Sequence, residues 1–161
     1  MNPRLYLETT IPSYLVARRS RDLRLAAYQE TTQQWWESER HDYDLFISQS
    51  VVFEVSRGDV NFAATRLDRL RGIPLVPRTP EASTLITHLL TSGIIPAVAE
   101  VDAVHIGLAA AHRMDFLLTW NCRHLANANK FGHIRRINTL LGFFVPTMAT
   151  PLELLGESES P

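Results

Sequence analysis

The stretch DAVHIGLAAAHRMDFLLTWNCRHLAN, residues 102–127, joins a helical pattern, an apolar strand pattern and a polar strand end in direct succession. Residues 98–114 are rich in alanine and predict a helix, whereas DFLLT (115–119) is a short apolar run that predicts a strand. Side chains alternate along a strand, so Thr119 and Asn121 should point to one side and Trp120 to the other. We therefore expect a buried strand whose carboxyl end presents hydrogen-bonding groups.

The segments on either side of this stretch also alternate between strand and helix patterns. The predicted strands are LYL (5–7), YDLFIS (43–48), GIPLVP (72–77), DFLLT and FFVPT (143–147). The first predicted helix begins near Pro12 and the second covers 22–40. Two more follow caps at Ser48 or Ser50 and at Asp59. The others cover TPEASTLITHLLTSG (79–93), 98–114 and 133–142, and a last helical turn or two lies in ATPLELLG (149–156). This alternation predicts an α/β fold in which helices cover a mostly parallel five-stranded sheet.

Two adjacent tryptophans lie near the end of the long predicted helix. Trp35 and Trp36 are neighbours, and consecutive positions on a helix point in different directions. We expect that only one of them faces the core and that the other belongs to an interface.

Composition narrows the class of protein. The chain has 161 residues, of which 45% are hydrophobic, as expected of one globular domain. No apolar run reaches the roughly 18 residues that span a bilayer, and the first ten residues do not resemble a signal peptide. Cys122 is the single cysteine, so we expect a reducing, cytoplasmic environment. Arginine supplies 15 of the 16 basic residues, which suits phosphate binding but is also typical of a GC-rich genome.

Three carboxylates fall where the predicted sheet would bind a ligand. Glu8 closes the first strand, Glu54 lies in the helix after the second, and Asp102 opens the helix that leads to the fourth. Each alone is explained by a turn, a cap or the helix dipole. If they converge at the carboxyl edge of the sheet, they require a cation, and oxygen ligands favour Mg²⁺ or Mn²⁺ over zinc. Such an ion is suited to hydrolysing a phosphodiester.

Four stretches give the chain a resemblance to the PIN-domain family, and more narrowly to VapC-like ribonuclease toxins of type II toxin–antitoxin systems. They are LYLETTIPSYL (5–15), FISQSVVFEVSRGD (46–59), 102–127 and FFVPTMATPLELL (143–155). The resemblance implies a PIN-like (Rossmann-like) three-layer sandwich over residues 1–155, followed by a flexible tail at 156–161. It also implies an endoribonuclease that leaves a 5′-phosphate and a 3′-hydroxyl, an RNA substrate, a cognate antitoxin that blocks the site with an inserted side chain, and a homodimer.

The resemblance assigns roles by position. Glu8, Glu54 and Asp102 would bind the metal and act in catalysis with Asn121, while Thr119 would support them. Two positions differ from the commonest family pattern. Glu8 replaces an aspartate and extends the carboxylate outward by roughly 1.3–1.5 Å. Asn121 replaces a second aspartate and removes a charge, so we expect one tightly held ion instead of two.

Several other residues have more than one reading. His105, three residues after Asp102, contacts phosphate, tunes Asp102, or is a partly buried histidine bonded to a backbone carbonyl. Arg123 and His124 are candidates for RNA contact or a solvated helix start. Arg18 and Arg19 belong to a basic stretch that would guide RNA, meet an acidic antitoxin, or form a solvated loop.

The leading hypothesis is a metal-dependent ribonuclease. The alternative is a catalytically weak PIN fold that binds RNA or a protein partner. A nucleotide-binding α/β domain of another kind is disfavoured, because the sequence contains neither GxGxxG nor GxxxxGK[ST].

Overall fold

Five parallel strands form one sheet in the computed structural model, which describes residues 1–156. The strands are β1 (Arg4–Leu7), β2 (Asp44–Ser48), β3 (Leu75–Val76), β4 (Phe116–Leu118) and β5 (Thr147–Ala149), in the order β3-β2-β1-β4-β5. The order reverses between β1 and β4, where open α/β sheets bind ligands beyond the strand ends. Leu5 pairs with Leu45 on one side and Phe116 on the other, so the buried strand β1 lies at the centre.

Helices cover both faces of the sheet, which confirms the predicted PIN-like three-layer sandwich. They are α1 (Thr10–Val16), α2 (Leu23–Ser38), α3 (Gln49–Val55), α4 (Val60–Arg69), α5 (Pro80–Thr91), α6 (Glu100–Ala111) and α7 (Ala128–Leu140). The side chains of Ser48, Asp59 and Thr79 accept hydrogen bonds from the first turns of α3, α4 and α5, as the sequence predicted. Across residues 1–156, no helix is long and apolar enough to cross a membrane.

The close contact between α5 and α6 depends on a glycine. A Cβ on Gly107 would lie 2.5 Å from the Ile86 Cγ1 atom and 3.0 Å from the Ala82 carbonyl oxygen. The missing side chain therefore lets α6 pack tightly against α5. This packing fixes the position of the helix that carries Asp102 and His105.

The end of the chain differs from the sequence prediction in three places. The fifth strand is Thr147–Ala149 instead of 143–147, because Pro146 has no N–H and pairing begins with the Thr147 N–H, which donates to the Asp115 carbonyl at 2.9 Å. Helix α7 begins at Ala128 instead of 133, because the Asn127 side chain caps it. Residues 151–154 form a hydrogen-bonded turn in place of the predicted helical turn or two. Of the predicted tail, 157–161 lie outside the described residues.

The prediction for the adjacent tryptophans was wrong. Trp35 is fully buried and Trp36 is 4% exposed. Trp35 packs against Tyr43, with ring centroids 5.8 Å apart. The Arg40 side chain covers Trp36, because its guanidinium lies 4.7 Å from the centre of the Trp36 ring. An arginine four residues further along the chain therefore covers the ring that the sequence predicted to lie in an interface.

Candidate active site

Glu8 is held at the boundary between β1 and β4. Its side chain is only 4% exposed. The Oε2 atom accepts hydrogen bonds from the Thr10 N–H at 3.0 Å, the Thr10 hydroxyl at 2.5 Å and the Thr119 hydroxyl at 2.8 Å. The Glu8 N–H donates to the Leu118 carbonyl at 3.1 Å, which continues the pairing of the strands. The carboxylate is therefore fixed to the end of β4 as well as to its own strand.

Glu54 lies in the last turn of α3, because that helix ends at Val55. The alternative that the helix dipole alone explains this acid is therefore wrong, since the carboxyl end of a helix disfavours negative charge. Instead, the Oε1 atom accepts from the Thr9 hydroxyl at 2.7 Å and from His105 Nε2 at 2.8 Å. Burial acts to raise the pKa of Glu54. The hydrogen bonds from His105 and Thr9 and the charges of His105 and Arg57 outweigh it and hold the pKa below its usual value.

His105 is fully buried and connects Glu54 to the centre of the sheet. Its Nδ1 atom lies 2.7 Å from the Tyr6 hydroxyl, which lies 2.6 Å from the Ser48 hydroxyl. Both sequence readings of its contacts are wrong, because the ring meets two side chains and reaches neither a backbone carbonyl nor a surface position. Its expected influence on Asp102 is present, since the charge of His105 acts to lower the pKa of that carboxyl.

Asp102 lies in the first turn of α6 and is half-buried. Burial raises the pKa of its carboxyl. The nearby Asn121 side chain and the charges of His105 and His124 act to lower the pKa, while the negative charge of Glu54 acts to raise it. The negative charge of Glu54 therefore acts against a second charge at Asp102. A positive ion between them would relieve both burial and repulsion.

Asn121 and Thr119 organise the end of β4. The Asn121 Oδ1 atom accepts from the Arg123 N–H at 3.2 Å and the His124 N–H at 3.1 Å. The Asn121 N–H in turn donates to the Thr119 hydroxyl at 2.9 Å. Thr119 thus links Glu8 to Asn121, whose side chain acts to lower the pKa of Asp102. Trp120 points to the other side, as predicted, and its Nε1–H donates to the Thr32 hydroxyl at 2.7 Å.

The three carboxylates meet the chemical requirement for a hard divalent ion. Glu8 and Glu54 each use one oxygen in hydrogen bonds, and the described residues give the other oxygen no hydrogen-bond donor. However, no group of three or more Asp, Glu, His or Cys residues within 1–156 is placed to hold a metal ion. The carboxylate oxygens are the kind of ligand that Mg²⁺ prefers, and Mg²⁺ usually takes only one or two carboxylates and keeps several waters.

The basic candidates divide into two groups. The charge of His124 acts on the Asp102 carboxyl, and the exposed Arg123 precedes His124, with a backbone N–H that donates to Asn121. His124 Nδ1 also lies 3.0 Å from Lys130 Nζ. Arg18 and Arg19 are exposed after α1, and among the described residues no hydrogen bond or ion pair joins them to a carboxylate of the site. Arg18 instead lies 5.7 Å from the centre of the Phe62 ring.

Sequence reasoning missed four residues that hold the carboxylates in place. They are Tyr6, Thr9, Thr10 and Ser48. Thr9 and Thr10 directly follow Glu8, and two hydroxyl groups next to a strand-end carboxylate were a readable signal. Tyr6 and Ser48 carried no such signal, because each lies in an ordinary strand pattern.

An apolar groove borders the carboxylates. Its volume is about 530 Å³, and Glu54 lies at its edge. Phe53, Leu75 and Val101 line it and remain substantially exposed, Phe53 at 65%. Arg78 is also part of the lining. Apolar side chains gathered on one exposed surface are typical of interaction sites.

Comparison with known proteins identifies the fold. No model of a protein family and no curated protein sequence matches the chain. Among solved structures, a chain in the crystal structure of VapBC2 from Rickettsia felis bound to a DNA fragment from its promoter matches with a TM-score of 0.52 and 17% identity. The match covers 91% of this chain and 97% of that one. It agrees with the PIN-like fold over nearly the full length, and at this identity it shows the fold alone.

Proposed function

We propose that the protein is a metal-dependent endoribonuclease of the PIN type and the toxin component of a toxin–antitoxin pair. The observation that carries this proposal is the pair of anchored carboxylates at the switch point of the sheet, where Thr119 at the end of β4 donates to Glu8 and Thr9 after β1 donates to Glu54. The similarity in fold to a chain of a VapBC2 complex supports it.

In this proposal the three carboxylates bind Mg²⁺ or Mn²⁺, with water completing the shell of the ion. When bound, the ion supplies the positive charge that activates water and neutralises charge on the phosphodiester. The protein supplies orientation. Thr10 and Thr119 hold the Glu8 carboxylate. Arg123 and His124 lie at the rim beside Asp102, where they would contact the phosphates on either side of the cleaved bond.

The groove beside Glu54 is the surface that we propose for the antitoxin. An antitoxin segment with apolar side chains would cover Phe53, Leu75 and Val101, and a basic side chain at its end would meet Glu54. The alternative occupants are RNA bases and a second copy of the chain. In a binding assay with the separate antitoxin, Phe53→Ser should weaken capture at least tenfold, while Leu140→Ser, an exposed apolar residue outside the groove, should leave it unchanged. Equal effects of the two substitutions would remove the groove from the proposal. A homodimer and a cytoplasmic location belong to the same proposal.

The test of activity is cleavage of RNA by the purified protein in the presence of Mn²⁺. We expect that EDTA, Asp102→Asn and Glu54→Gln each abolish cleavage. Asp68→Asn is the matched control, because that carboxylate lies on the surface in a pair with Arg71 and should have no effect. Cleavage that persists in EDTA and in both site variants would overturn the proposal.

One observation favours a second candidate, a PIN fold that binds RNA or protein without cleaving. Within residues 1–156 the carboxylates do not form a compact three-ligand cluster. Titration calorimetry separates the candidates, because the ribonuclease requires carboxylate-dependent Mn²⁺ binding at or below millimolar concentration. RNA or partner binding without any Mn²⁺ binding would favour the second.

A further inference from the structure

We propose that His105 is a positioning residue for Glu54, held in place by the buried hydroxyl groups of Tyr6 and Ser48. The inference rests on the proposed function, since it assigns to Glu54 the task of binding the ion. In this view His105 never touches RNA or the ion. It determines which oxygen of Glu54 faces the site.

The hydrogen bonds of this chain have a defined direction at the Glu54 end. Glu54 is a carboxylate whose pKa is lowered, so it accepts and His105 Nε2–H donates, at 2.8 Å. Burial raises the pKa of Tyr6 far above its usual value, and the phenol therefore keeps its proton. The Tyr6 hydroxyl is joined to His105 Nδ1 at 2.7 Å and to the Ser48 hydroxyl at 2.6 Å. The direction of these two hydrogen bonds depends on whether Nδ1 carries a proton. In either case both nitrogens of the buried ring have a hydrogen-bond partner.

The chain connects three separate elements of the core. Tyr6 belongs to the central strand β1, Ser48 ends β2, and His105 lies on α6. All three are at most 1% exposed. Ser48 also caps α3, the helix that carries Glu54, by accepting from the Val51 N–H at 3.4 Å. The position of Glu54 is therefore tied to the sheet both through its helix and through its side chain.

Glu54 needs such support because, apart from His105, only the Thr9 hydroxyl holds its carboxylate among the described residues. It lies in the last turn of a seven-residue helix and its side chain is 28% exposed, with three rotatable bonds. Thr9 and His105 both bind Oε1, and within residues 1–156 no hydrogen bond is made by Oε2. Outer partners of this kind commonly change metal affinity by 10- to 100-fold when removed.

Two substitutions of His105 separate positioning from mere filling of the core. The amide nitrogen of a glutamine reaches about as far as Nε2, so His105→Gln keeps a donor for Glu54. The shorter side chain of His105→Asn reaches only the position of Nδ1, so it keeps the Tyr6 contact and removes the Glu54 donor. Both variants place an amide in the same buried position, so their free energies of unfolding should be similar. Their effects on the position of the Glu54 carboxylate should differ.

The experiment measures Mn²⁺ binding by titration calorimetry and compares crystal structures of the metal-free variants. We expect His105→Gln to bind Mn²⁺ within about threefold of the wild type, His105→Asn to bind at least tenfold more weakly, and Tyr6→Phe to lie between them. In the metal-free structures the Glu54 carboxylate should keep its place in His105→Gln and leave it in His105→Asn. A Glu54 carboxylate that stays in place in His105→Asn would overturn the inference, as would equal Mn²⁺ affinity in the two folded variants. If the wild type binds no Mn²⁺ while Glu54 still moves only in His105→Asn, the proposed function fails and the positioning role stands.

Discussion

Replacing Thr119 with valine tests how strongly the sheet holds Glu8. The substitution keeps the shape of a fully buried side chain and removes one hydroxyl. That hydroxyl donates to Glu8 Oε2 at 2.8 Å and accepts from the Asn121 N–H at 2.9 Å. Thr119→Ser is the matched control, because it keeps the hydroxyl and loses only a methyl group.

The expected loss in the free energy of unfolding is the sum of the contributions of these two hydrogen bonds. A hydrogen bond to a charged group contributes about 1.5–3 kcal/mol, and a bond between neutral groups about 1 kcal/mol. Thr119→Val should therefore lower the free energy of unfolding by roughly 3 kcal/mol. Thr119→Ser should cost about 1 kcal/mol for the buried methyl group. For a domain of this size, the difference corresponds to a melting temperature that is about 4–8 °C lower in the valine variant.

The assay is equilibrium unfolding in urea without metal, followed by circular dichroism. The same substitution in a Glu8→Gln background should cost at least about 1 kcal/mol less, because the acceptor has lost its charge. Mn²⁺ affinity should fall in the valine variant and stay near that of the wild type in the serine variant. If valine and serine destabilise equally, the hydroxyl does not hold Glu8 and the reasoning is refuted.

Three further predictions follow from single contacts. Gly107→Ala places a Cβ 2.5 Å from a side chain of α5 and should destabilise by about 1–3 kcal/mol, whereas Gly132→Ala, also helical but with open space, should stabilise by up to about 1 kcal/mol; melting temperatures that move together would contradict this. Because burial raises the pKa of Asp102, the metal-free fold loses stability as pH rises from about 4 through the raised pKa. Asp102→Asn removes that loss, so its melting temperature should gain on the wild type between pH 4 and pH 7, and a constant difference would rule this out. Trp120→Phe removes the donor to Thr32 and should lower the free energy of unfolding in urea by about 1–3 kcal/mol. Adding Thr32→Val to this variant should cause no further loss, because the hydrogen bond is already absent.

The sequence predicted the architecture well because its signals were local. Alternating strand and helix patterns, the Thr79 cap with Pro80, and the polar end of β4 each depend on neighbouring residues. The errors arose where a single side chain within the segment overrode its general pattern. Pro146 moved β5 because pairing requires an N–H, and Arg40 covered a tryptophan that the helix pattern left exposed.

The candidate site shows the same division. The carboxylates could be named from the chain, because parallel strands end at one edge of the sheet. Their supporting contacts could not be derived, because they join positions such as Tyr6 and His105 that are 99 residues apart. The spacing of His105 from Asp102 indicated a shared helix face, yet the ring is directed to Glu54, since only packing determines which neighbour a side chain meets.

The most direct test of the central claim is a crystal structure of the protein grown with Mn²⁺, measured for anomalous scattering at the manganese edge. We expect a peak among the carboxylate oxygens of Glu8, Glu54 and Asp102, with at least one of them bound directly and the peak absent in Asp102→Asn. A fully occupied peak at another place, or no peak at concentrations of Mn²⁺ that support RNA cleavage, would contradict that claim.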